Sequence, residues 1–387
     1  LLFPSGLAAI ACVNLALLNP GDEVLLPDNV YGPNKALALA ELQRFGIRHR
    51  CYEATDISDL AAKIGPSTRL VWLEAAGSIT LEFPDLIAQV ELCRSKGVLT
   101  ALDNTWGAGL AFQPFDLLRT GGEGSTSGVD ITVHALTKYP SGGGNVLMGS
   151  IITRSDELFR KLAASHMHMG FCVGMNDAEA VLNGLPSMPL RYQKADANAR
   201  ALAQWCARQP QFVQVLHPSL PDSPGHAAWK KICCTAENPQ GAAAGLLSVI
   251  VDDACSQERV DAFCESLHLF RIGYSWGGPI SLVMAYDVAA LRSQWPAHLR
   301  QGKLVRLSTG LEDADDLIAS TGFAVLTPGS GVEPEYLGYV IQSSPFVNRV
   351  TANSIGIAYD AIVSPVSEAV VNASVASVLF VICWDAV

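Results

Sequence analysis

From Leu7 to about Ile152 the chain alternates between two textures. Short β-branched or apolar runs at 23–27, 70–74, 98–104, 131–134 and 150–153 stand between longer segments with apolar residues at helical spacing, among them 8–18, 34–45, 56–64 and 85–96. Strands alternating with helices imply right-handed crossovers and a mostly parallel sheet, hence an α/β fold. The near-continuous apolar character of the runs agrees, because a parallel sheet is covered on both faces. After Arg154 the rhythm changes. Helical patterns at 156–169, 177–185 and 191–208 lead into strand patterns at 213–217, 246–251 and 304–307, with helices at 257–267 and 313–320. The segment 218–225 reads as a turn-rich loop. The expected organisation is a large α/β domain over 1–190, a smaller C-terminal α+β domain over 191–326, and a tail of unknown order over 327–387. That tail holds one Arg and no Lys and shows no cap or turn rhythm.

Composition narrows the class. A hydrophobic fraction of 49% and a charged fraction of 16% over 387 residues exclude a disordered or collagenous chain. A net charge of −11 gives no global attraction to nucleic acid or to an anionic membrane. The ten cysteines include no CxxC pair, and Cys233 and Cys234 are adjacent. That pattern indicates reduced thiols and a cytoplasmic protein. The most apolar stretch, 375–383, is too short to span a bilayer. Because Leu1 is not an initiator Met, a processed or truncated start is expected.

Three places carry candidate chemistry. Phe3-Pro4-Ser5-Gly6-Leu7 turns into an apolar helix. Free N–H groups at such a start form an anion site, although Ser5 also reads as an ordinary N-cap. Asp103 and Thr105 end a buried strand and leave it on one face, where an open α/β sheet binds its ligands. A loop-start Asp that caps the next turn is the plainer reading. Lys138 follows an apolar strand and precedes the Gly-rich run Ser141–Asn145. In an apolar pocket such a Lys becomes a Schiff-base nucleophile; on a surface it snorkels to water. Thr137 adds a hydroxyl, and Tyr31, after the strand at 23–27, a ring that can stack. Together, an anion cradle, a strand-end acid and a strand-end Lys are the parts a pyridoxal phosphate enzyme needs. His166 and His168 diverge on a helix and lack a third ligand, so no metal site is expected. There is no nucleophile elbow and no Walker loop.

The sequence resembles the Cys/Met-metabolism group of fold type I pyridoxal phosphate enzymes. The resemblance runs from about Leu2 to Phe323 and rests on FPSGLAA, the YGP turn, EAAGSIT, ALDNTWGAG, HALTKY, HPSLPDSPGH, YSWGG and VRLSTGLEDADDLI, in family order. It implies the transferase-like fold of that group, pyridoxal 5'-phosphate as cofactor, a sulfur amino acid substrate and a homotetramer. It also implies that Lys138 forms the aldimine, that Asp103 partners the pyridine nitrogen with Thr105 beside it, and that Tyr31 stacks on the ring. Ser5, Gly6, Leu7 and Thr137 would hold the phosphate. Arg306 would fork onto the substrate α-carboxylate, with Ser275 and Trp276 lining its pocket. The YSWGG form points to a carbon–sulfur β-lyase that releases homocysteine, pyruvate and ammonia from L-cystathionine. The alternatives are a γ-lyase or γ-synthase of the same family, or an inactive cofactor-binding remnant. Ala135 stands where the family usually carries Ser, Ala75-Ala76 where it carries Ser-Pro or Thr-Pro, and Leu1 begins just past a family segment that reaches a neighbouring subunit's phosphate.

Overall fold

The computed structural model describes residues 1–121, 127–288, 292 and 295–321; the tail set apart at 327–387 lies outside the described residues. In chain order the first part runs β1 Leu2–Phe3, α1 Gly6–Leu17, β2 Glu23–Pro27, α2 Gly32–Leu37, β3 Arg48–Tyr52, α3 Ile57–Lys63, β4 Thr68–Glu74, α4 Leu86–Ser95, β5 Leu99–Asp103, β6 Ile131–Ala135 and β7 Gly149–Thr153. Helices α5 Asp156–His168, α6 Met175–Gly184 and the long α7 Met188–Cys206 follow. The remainder holds β8 Phe212–Leu216, α8 His226–Cys233, β9 Leu246–Val251, α9 Gln257–Ser266, β10 Arg271–Ile272, β11 Leu282–Tyr286, β12 Lys303–Ser308 and a closing helix Ala314–Thr321.

The strands form two sheets, a seven-stranded one ordered β1-β7-β6-β5-β4-β2-β3 and a five-stranded one ordered β10-β11-β12-β9-β8. In the larger sheet β2 to β6 are mutually parallel, while β7 and β1 join antiparallel at one edge. Successive residues of the central strands feed opposite cores, as a period of two requires. Val24, Leu26, Leu70, Trp72, Ile131 and Val133 pack with Ile10 and Val13 of α1 and Leu158 and Leu162 of α5. Leu25, Val71, Leu73 and Leu102 pack instead with Leu60 of α3 and Leu86 and Val90 of α4. Helix starts are fixed by side chains that take otherwise orphaned N–H groups. Ser5 accepts from Ala8, Asp56 from Ser58 and Asp59, and Asp85 from Ala88.

Several elements depart from the sequence expectation. The single helix expected at 34–45 is α2 followed by a π turn, Ala38–Leu42. Strand β3, RHRCY, reads as polar because it is the sheet's outer strand, where charged side chains reach water and block further pairing. Helix α8 and strands β1, β10 and β11 carry too little periodic pattern to stand out. No helix among the described residues is long and apolar enough to cross a membrane. The nine described cysteines are free thiols.

Strand order reverses between β2 and β4, since β3 lies on one side of β2 and β4 on the other. Open α/β sheets bind ligands beyond the carboxyl ends of their strands at such a reversal. Tyr31, Glu74, Asp103 and Lys138 all follow or close the carboxyl ends of β2, β4, β5 and β6.

Candidate active site

A cavity of about 230 Å³ opens at those strand ends, lined by Ser5, Gly6, Leu7, Tyr31, Asp103, Thr105, Thr137, Lys138, Ser275 and Trp276, among others. Ten of the eleven residues singled out from the sequence therefore share one cavity. Arg306 is the exception; it stands behind the wall, on β12, donating from Nη1 to the Ser78 carbonyl (2.9 Å) and from Nη2 to the Tyr274 carbonyl (2.6 Å).

Lys138 ends the turn after β6, its N–H donating to Ala135 O at 3.1 Å. Its Nζ lies 2.8 Å from Ser275 Oγ and 5.0 Å from the Trp276 ring centroid. Burial, then the Arg306 charge, lower its pKa to about 8, with Asp103 opposing. A neutral amine is thus within reach near physiological pH, as a Schiff-base lysine requires.

Asp103 is held by Thr105, whose N–H (3.0 Å) and hydroxyl (2.5 Å) both donate to Oδ1. Thr105 Oγ1 in turn accepts from Ala135 N at 2.9 Å, so the ends of β5 and β6 are tied through it. That hydroxyl orients Asp103. Burial raises the Asp103 pKa, against the Thr105 hydrogen bonds and the Lys138 charge.

The anion cradle is more backbone than side chain. The Ser5 hydroxyl caps α1, and that of Thr137 is engaged with the main chain of Met148, donating to its O (3.3 Å) and accepting from its N (3.1 Å). What remains at the helix start are N–H groups without an intrahelical acceptor. Gly6 lets them approach β6: a Cβ there would stand 2.8 Å from Ala135 Cβ.

The sequence reading missed Glu74. It ends β4, pairs in register with Asp103, lines the cavity and accepts from Tyr31 N at 2.8 Å. Burial first, and Asp103 second, push its carboxyl well above the usual range. An acid closing the apolar run LVWL was the available signal, and only the register of two strands gives it meaning. Tyr31 stands at the start of α2, half-exposed on the cavity.

The donor set fits pyridoxal 5'-phosphate: an amine of lowered basicity, a buried carboxylate for a ring nitrogen, a flanking aromatic ring, and a glycine-permitted helix start for a phosphate. Comparison with known proteins agrees. The family model for Cys/Met metabolism PLP-dependent enzymes matches residues 1–324. A cystathionine beta-lyase of Bordetella avium is 33% identical over 321 residues, 83% of this chain and 76% of that protein. An L-alanine/L-glutamate racemase of Wolbachia pipientis is 30% identical over 326 residues, 84% and 76% of the two chains. The crystal structure of cystathionine gamma-lyase from Lactobacillus plantarum complexed with L-serine superposes with a TM-score of 0.71 at 24% identity, covering 83% of this chain and 80% of that one. That likeness shows the fold.

Proposed function

This chain belongs to the Cys/Met-metabolism PLP-dependent enzymes, and from that premise we propose that it is a carbon–sulfur β-lyase acting on L-cystathionine, taking up water and releasing homocysteine, pyruvate and ammonia. The observation that carries the reading is the Lys138 amine, lowered to about 8, held 2.8 Å from Ser275 in a cavity floored by Asp103. The Bordetella relative supports the choice of bond.

Bound pyridoxal phosphate supplies an aldehyde that takes up an amine and a pyridine ring that accepts the electron pair released at the substrate's Cα. Lys138 Nζ is the amine that would hold the aldehyde, and as a neutral amine it would take the Cα proton. Ser275 Oγ, 2.8 Å away, keeps Nζ in place. Asp103, oriented by Thr105, would hold the proton on the ring nitrogen. Tyr31 would cover the ring, and Gly6 and Leu7 would offer their N–H groups to the phosphate. Arg306, buried with neutral partners, attracts the substrate carboxylate. The Cβ–S bond then breaks, homocysteine leaves, and the three-carbon remainder is hydrolysed to pyruvate and ammonia.

A second copy of the chain is part of the proposal. Leu147, on the cavity rim, and Met175, Leu182 and Leu190 on and beside α6 and α7 are 64–88% exposed. Large apolar side chains left in water at this density mark an interaction surface. The experiment is to load the protein with cofactor, add L-cystathionine and identify the keto acid. Pyruvate is expected; 2-oxobutyrate would move the reading to γ-cleavage, and neither acid would sink it.

A further inference from the structure

Arg306 is 4% exposed, yet its hydrogen-bond and ring partners are neutral. Carbonyl oxygens of Ser78 and Tyr274 take two of its N–H groups, and the guanidinium carbon lies 5.0 Å from the centroid of the Tyr286 ring. Among the described residues no carboxylate pairs with it. Strand register explains the ring contact. Met284 stands opposite Arg306, and Tyr286, two residues on, shares its face of the sheet and so lies diagonally beside the arginine. Tyr274 sets its own ring edge-on to Tyr286, centroids 5.8 Å apart. The guanidinium is therefore held by two carbonyls and lies over the face of one ring, which is itself braced by another.

A cation taken from water without a counter-charge is costly. Carbonyl dipoles and the negative face of a ring offset part of that cost without neutralising the charge, so the affinity for an anion survives. A carboxylate in place of Tyr286 would cancel it. The ring also borders a separate groove of about 680 Å³ together with Met284 and Trp295, so close-packed core does not by itself fix the ring's position.

We propose that Tyr286 is a positioning residue for substrate-carboxylate binding, holding the Arg306 guanidinium flat so that its remaining N–H groups meet the carboxylate as a fork. The inference rests on the reading of Arg306 given above. It identifies Tyr286, rather than a charged partner, as what sets the strength of carboxylate recognition.

Glycine and methylamine separate the roles, because both present a primary amine to the loaded protein and only glycine carries a carboxylate. Binding is read from the shift in the cofactor's visible absorbance. In Tyr286→Leu the apparent Kd for glycine should rise about tenfold while that for methylamine stays within about twofold; Tyr286→Phe, which keeps the ring face, should stay within about twofold for both. Tyr286→Gln, similar in reach but without a ring, provides a second variant should the leucine variant fold poorly, and should behave as expected for Leu. An unchanged glycine Kd in the ringless variants, equal weakening of both amines, or a Phe variant as weak as Leu would overturn the proposal. Arg306→Leu tests the underlying reading separately. If it leaves glycine binding intact, Arg306 is not the carboxylate site; if it abolishes glycine binding while Tyr286→Leu does not weaken it, only the role of Tyr286 fails.

Discussion

Burial and the Arg306 charge oppose a proton on Lys138, and that opposition has a measurable signature. A lysine whose folded-state pKa is lowered binds fewer protons folded than unfolded between that value and its ordinary one. Stability of the cofactor-free protein should therefore rise as pH climbs from about 8 towards 10.5. Lys138→Met should remove that rise and abolish the visible absorbance of the loaded protein; thermal melts across pH and one spectrum check both. Asp103→Asn keeps the shape and removes the charge that holds the ring proton. It should lower kcat for cystathionine cleavage by a factor on the order of 10²–10⁴, the span of a well-placed proton-holding group. A loss under threefold would argue against that role. Lys138 and Asp103 stood out in the sequence because a charge at the end of an apolar strand is anomalous. Thr137 stood out for its hydroxyl and Thr105 for the face it shares with Asp103; in the structure the first hydroxyl is engaged with Met148, the second with Asp103 and Ala135.

Elements around the cavity are pinned by a buried ionic cluster. Arg292 donates to Asp28 and to Glu82; Glu82, fully buried, also accepts from Asn29, Thr80 and His298. The cluster joins the loop before Tyr31 to the loop after β4 and to the segment preceding β12. Arg292→Met would take the cation from the buried Glu82 and the half-buried Asp28 and should cost about 3–5 kcal/mol in denaturant unfolding. Its pH dependence has a definite sign. The Glu82 pKa falls to about 2, chiefly because His298 and Arg292 outweigh burial, so that its contribution is present above 4.5 and lost as pH drops towards 2. His298 is raised by its hydrogen bond to Glu82, so its contribution is full below 6.5 and lost as pH rises through the raised value. Relative to the parent protein, His298→Gln should flatten stability on the alkaline side of pH 6.5. None of this was legible beforehand, because the six positions are polar residues in turns and loops whose partners lie up to 264 residues away.

Across the whole molecule, a few hydrogen bonds couple the two sheets through the floor of the cavity. The Tyr139 hydroxyl, next to Lys138, accepts from Gly245 N at 2.8 Å just before β9. Ser248 Oγ donates to Ile79 O at 2.6 Å, and Arg306 reaches Ser78 O. Tyr139→Phe would strand the buried Gly245 N–H, a cost of about 1–3 kcal/mol. The melting temperature should fall, and because Tyr139 packs against Trp276 at 5.9 Å, the cofactor's visible band should move with it. A fall in melting temperature with an unaltered spectrum would separate the sheet contact from the site.

The parallel strand–helix alternation, the helix-start glycine and the strand-end Lys and Asp follow from local order, since residue spacing alone fixes which face a side chain leaves and which backbone groups a turn exposes. Fold class and cofactor class were accordingly within reach of the sequence. Pairings between distant segments were not. Glu74 beside Asp103, Ser275 on Lys138 137 positions away, and Tyr286 against Arg306 exist only once strands choose neighbours and register. Those choices are made by burial summed over whole faces of the two sheets, a quantity that no single stretch of sequence contains.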